Sequence, residues 1–115
     1  MLLPNGKHAV VDIRKLRDYC LNPDSPRGSR KAQVFSDVLG MTRRDAAMLR
    51  TRLLGIAATG QAQVRKLDEY GQRYSIDFEM QIGNRKAVLR SGWIVLKDEA
   101  NPRLTTCYVK KRKRS

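Results

Sequence analysis

The chain changes period once. Up to Gly60 its apolar residues recur at helical spacing, and beyond it they alternate at every second position. In VVDIRKLRDYCLN, residues 10–22, Ile13, Leu16 and Cys20 fall at i, i+3 and i+7. Asn22-Pro23 ends that helix, because a proline ring disfavours a helical residue before it. A polar turn, NPDSPRGS, follows, and Ser29 is predicted to cap a second helix, RKAQVFSDVLG. There Val34, Phe35, Val38 and Leu39 form an apolar stripe that Gly40 closes. Thr42 is predicted to cap a third helix, with Asp45 as the acidic half of a capping box and Ala46, Leu49, Leu53 and Ile56 on one face.

Past Gly60, residues 61–70 read as a strand, and Tyr70-Gly71 turns the chain into residues 72–82. Alternation in that second strand is clean: Tyr74, Ile76, Phe78, Met80 and Ile82 share one face, and Arg73, Ser75, Asp77, Glu79 and Gln81 the other. Gly83-Asn84 is a hairpin signal. Residues 85–98 form a third strand, DEANP a loop, and RLTTCYV a fourth strand. Short connections between consecutive strands predict an antiparallel meander, so the fold class is α+β, with N-terminal helices packed on one face of about four strands. The expected organisation is one domain with a helical part (1–60), a sheet (61–109) and a basic tail (110–115).

Helices on one side leave the other side of the sheet open. That face should carry Arg73, Asp77 and Glu79 from the second strand, Arg90 and Gly92 from the third, and Thr106 and Tyr108 from the fourth. Arginines there would hold phosphate, and an aromatic ring could stack a base. Trp93, the sole tryptophan, suits a core position before a base platform.

Charge sharpens this picture. Lys and Arg number 24 against 11 Asp and Glu, a formal net charge of +13, and subtracting the five basic residues at positions 110–114 leaves +8. The body of the domain is therefore basic, which points to an anionic polymer or an acidic protein as partner. No apolar run is long enough for a membrane span or a signal peptide, so membrane insertion is not expected. Cys20 and Cys107 lie far apart with no CxxC, and they read as free thiols packed as small hydrophobes.

Cleaving RNA without a metal requires a proton acceptor for the 2′-hydroxyl, a donor for the leaving oxygen, and cations around the phosphorane. A two-histidine solution is excluded because His8 stands alone, and the scattered acids do not form a metal-binding cluster, so neither metal nor cofactor is expected. What remains is a site of Lys, Arg, Thr and Tyr with one carboxylate. Lys31 enters because it stands at the start of the second helix, where the N-terminus attracts phosphate. The same lysine would be equally at home as a solvated first-turn residue, and Asp77 as a cross-strand partner for Arg73 or Arg90.

The stretches LPNGKHAVVDIRKLRDYCLNPDSPRGSRKAQVF, DEYGQRYSIDFEMQIGN, VLRSGW and RLTTCYV, spread in order from Leu3 to Val109, resemble a C-terminal toxin domain of contact-dependent growth inhibition and other polymorphic bacterial toxins. Domains of this kind are similar to the barnase/EndoU/colicin/RelE ribonucleases, several of which act on transfer RNA. The resemblance implies a site bordered by Lys31, Asp77, Arg90, Trp93 and Thr106, with Arg73 and Tyr108 as further contacts. Lys86, Lys110 and Lys111 are expected to add RNA affinity. Also implied are an acidic cognate immunity protein and presentation on a larger secreted or cell-surface protein that delivers the domain to a target-cell cytoplasm. A different class, a noncatalytic basic module that binds RNA or DNA, accounts for the same charge.

Overall fold

A computed structural model describes residues 1–110, and Lys111 and the residues after it in the basic tail lie outside them. In chain order the elements are a one-turn helix α1 (Ile13–Lys15) continued by a π-helical turn (Leu16–Cys20), α2 (Ser29–Leu39) and α3 (Ala46–Thr59), then β1 (Ala62–Leu67), β2 (Gly71–Ile82), β3 (Arg85–Leu96) and β4 (Arg103–Val109). The strands pair antiparallel in the order β1-β2-β3-β4, the expected meander and α+β class. Among the described residues no helix is long and apolar enough to cross a membrane.

The first predicted helix is the one that departs from expectation. Instead of running regularly over 10–22, it starts at Asp12, whose side chain accepts from the Arg14 amide at 3.0 Å, and widens so that the Leu21 amide bonds back to the Leu16 carbonyl at 2.8 Å. That wider turn buries Leu16 and Cys20 completely while leaving Tyr19 half-buried. The second helix begins one residue earlier than a Ser29 cap would give: Gly28 occupies the cap position and Ser29 is the first helical residue. Its stripe also shifts, for Ala32, Phe35 and Leu39 are buried while Val34 is exposed. The capping box over Thr42 and Asp45 is present and opens a 3-10 turn, Arg43–Asp45, that leads into α3.

Alternation on β2 holds from Ile76 to Gln81, with Ile76, Phe78 and Met80 buried and Asp77, Glu79 and Gln81 exposed, whereas Ser75 of the polar face is itself buried. The buried face joins Leu89 and Trp93 of β3 and Leu104 and Cys107 of β4 to Leu16, Cys20, Phe35, Leu49 and Leu53 beneath. Each large side chain removed from water there contributes about 1.5–3 kcal/mol. Two register shifts interrupt the ladder, one in β1 between Val64 and Leu67, the other between β3 and β4, where Gly92 pairs with Thr106 and Trp93 with Leu104, so that Thr105 is the extra residue of a bulge.

Candidate functional site

The site is built around the edge strand β4. A β-carbon on Gly28 would run into the Tyr19 carbonyl oxygen, so only glycine lets the start of α2 approach the π-helical turn this closely. Three residues on, Lys31 projects from the first turn of α2 across the β4 edge. Its Nζ donates to the Tyr19 hydroxyl at 3.0 Å and to Thr106 Oγ1 at 3.2 Å, and it stands 5.2 Å and 5.3 Å from the ring centres of Tyr19 and Tyr108. No carboxylate neutralises this ammonium group among the described residues. On the β3 side, a β-carbon at Gly92 would sit 2.9 Å from Thr105 Oγ1 and 3.1 Å from Thr106 Cγ2, so glycine there leaves room for both threonines.

The cluster continues onto the open face. Tyr108 pairs with Arg90 and Arg90 with Asp77, and directly opposed residues share a face. Arg90 holds Asp77 through two bonds, Nε to Oδ1 at 2.8 Å and Nη2 to Oδ2 at 3.0 Å, and Lys110 Nζ donates to the same Oδ2 at 3.0 Å. The Arg90 guanidinium, and after it the Lys110 ammonium, hold the Asp77 carboxyl down at about 2, whereas Asp77 and then the Tyr108 hydroxyl raise Arg90 above its ordinary value. Asp77 is thus a fixed anion that orients two cations and has little proton affinity of its own.

Lys31, Thr106, Tyr108, Arg90, Asp77 and Lys110 are therefore brought into one connected cluster. Trp93 is not part of its surface. It is fully buried on the helix-covered face, and its Nε1 donates to Ser91 Oγ at 2.9 Å, which in turn donates to the Ile76 carbonyl at 2.9 Å. A side chain so enclosed cannot stack a base, and the contribution open to it is to pack beneath β3. Arg73 lies further along β2 opposite Ile94, its Nε bonded to Asp68 Oδ2 at 2.7 Å beside the turn into β2. Lys86 is exposed near the β2–β3 hairpin, with its Nζ 3.8 Å from Glu79 Oε1. Tyr19 was not singled out by sequence reasoning, since its position depends on a π-helical turn that apolar spacing does not announce.

Cys20 and Cys107 are buried free thiols, and burial raises both above the ordinary thiol value. Among the described residues no three His, Cys, Asp or Glu side chains gather as a metal-binding cluster.

The model of a family described as a domain of unknown function, DUF6883, matches residues 2–111. The chain belongs to this family. In three dimensions it is similar to a chain of the contact-dependent growth inhibition toxin–immunity protein complex from Klebsiella pneumoniae 342. The TM-score is 0.66 and the identity 20%, with 88% of this chain and 99% of that chain covered. At that identity the likeness establishes a shared fold. No curated protein matches the chain.

Proposed function

We propose that this DUF6883 domain is the toxin module of a contact-dependent growth inhibition system and that it acts as a metal-independent endoribonuclease on transfer RNA. The observation that carries the reading is the Lys31 ammonium, held between two hydroxyls, flanked by two tyrosine rings and matched by no carboxylate among the described residues. A cation kept in place without a counter-ion is what a phosphate needs, because no ion pair has to break before the phosphate is bound. The toxin assignment is supported by the shared fold with a toxin–immunity complex. The RNA target is supported by the +13 balance of this chain, which suits a domain that meets nucleic acid.

In this reading the 2′-oxygen of the RNA attacks the adjacent phosphorus, the bond to the 5′-oxygen breaks, and the products are a 2′,3′-cyclic phosphate and a 5′-hydroxyl. The proton lost by the 2′-hydroxyl is balanced by the one gained by the leaving oxygen. Lys31 and Arg90 stabilise the charge of the phosphorane, and Thr106 donates to a nonbridging oxygen. Asp77 keeps Arg90 and Lys110 pointed at the strand. An acidic immunity protein covering this basic face would protect the producing cell, and the domain would be presented by a larger surface protein and act in the target-cell cytoplasm.

Lys31→Met and Thr106→Val keep side-chain bulk while removing, respectively, the charge and the hydroxyl. Each is expected to lower the rate of transfer RNA cleavage roughly hundredfold, the scale of one lost transition-state donor, with an unchanged circular dichroism spectrum. Cleavage at the wild-type rate by the Lys31 variant would remove the lysine from the mechanism.

A further inference from the structure

Beside the candidate site, on the far side of Tyr19, the surface opens into a cleft of about 510 Å³ between α1 with its π-helical turn, the segment leading into α2, and the β4 bulge. Its wall holds Lys15, Arg27, Tyr19 and Thr105, together with the Asp12–Arg14 pair and Asp18. Both acids are already engaged. Asp12 takes three bonds from the Arg14 guanidinium, Nη2 to Oδ2 at 2.7 Å and Nε to Oδ1 at 3.1 Å and to Oδ2 at 3.2 Å, and Asp18 is shared by Arg17 and Arg43, each at 2.9 Å. Lys15 and Arg27, by contrast, are exposed and have no carboxylate partner among the described residues. Tyr19 and Thr105 connect the cleft to the site: the first accepts from Lys31, and the second precedes Thr106 in the bulge.

We propose that this cleft is a second subsite for a single-stranded RNA, in which Lys15 and Arg27 hold a phosphate adjacent to the one placed at Lys31. The inference rests on the ribonuclease reading for the identity of the strand, and it deepens that reading by giving the strand a path, past Tyr19 and across the bulge. A strand laid this way meets two uncommitted cations in the cleft and a third at Lys31. Tyr19 forms the partition between the two phosphates. Backbone contacts of this kind add affinity without selecting a base.

The test is fluorescence-anisotropy binding of a single-stranded octanucleotide with 2′-O-methyl sugars, which cannot be cut through a 2′-oxygen, over a range of salt concentrations. The Lys15→Ala/Arg27→Ala protein should bind roughly tenfold more weakly than wild type, and the slope of log K against log salt should shrink by about 0.7, for the one single-strand phosphate no longer neutralised. Lys66→Ala/Lys97→Ala removes equal charge from two exposed lysines outside the cleft and should change binding about twofold or less. Equal losses in both double variants, or no loss in the cleft variant, would overturn the subsite. If wild type binds the analogue through these residues yet leaves unmodified RNA intact, the ribonuclease reading falls and the subsite stands. If wild type binds no RNA, both fall.

Discussion

Asp77 holds two cations at once, and that fixes both its role and its pH signature. Its carboxyl, held at about 2 against an ordinary 3.8, contributes stability that is fully present above pH 4 and is lost as the pH falls through 2. The group is partly solvated, so the contribution is about 1 kcal/mol. Asp12 and Asp18 are also lowered to about 2 and add to the same acid limb, so the contribution of Asp77 is the difference between two curves. Urea midpoints of wild type and Asp77→Asn should differ above pH 4 and converge as the pH falls below 2, and a constant gap would contradict the ion-pair account. Ser91 illustrates a second kind of residue. It sits fully buried between the Trp93 indole and the Ile76 carbonyl, so Ser91→Ala leaves a buried N–H without an acceptor and should cost about 1–3 kcal/mol in urea denaturation. Sequence reasoning favoured a core position for Trp93, but it could not show that the Ser91 hydroxyl is what satisfies the tryptophan.

At the scale of elements, strands were more legible than helices. A period of two survives any packing partner, so the faces of β2 and β3 follow from sequence alone, whereas the choice of Arg90 over Arg73 as the partner of Asp77 is made by the register. The bulge at Thr105 and the π-helical turn at Leu16–Cys20 were not legible, because each shifts one residue without altering the apolar pattern on either side. Both lie at the candidate site. The glycine of G-S-R-K-A, Gly28, has the same character: its role is the close approach to Tyr19 that brings Lys31 within reach of the tyrosine hydroxyl. Gly28→Ala is expected to cost about 1–3 kcal/mol, because the clash is with backbone and cannot be relieved by a rotamer change. Gly55, inside α3 with nothing within 4 Å of an added β-carbon, is the opposite case. Gly55→Ala should stabilise by about 0.5–1 kcal/mol, and thermal unfolding of the two variants side by side checks the contrast.

For the whole molecule, two properties follow from the sequence alone: an α+β meander with one open face, and a surplus of positive charge distributed over the body of the domain. The fold joins them, since the open face and the β4 edge gather Lys31, Arg90, Lys110, Thr106 and Tyr108 into one surface. Neither property distinguishes an enzyme from a binding module of the same charge, because affinity for phosphate is common to both. The difference lies in whether a bond breaks. The purified domain incubated with total transfer RNA in the presence of EDTA, followed by a denaturing gel and end-group analysis, measures this directly. Discrete fragments ending in a 2′,3′-cyclic phosphate are the predicted result. Transfer RNA that stays intact, or that is cut only when a divalent cation is restored, would contradict the metal-independent ribonuclease account.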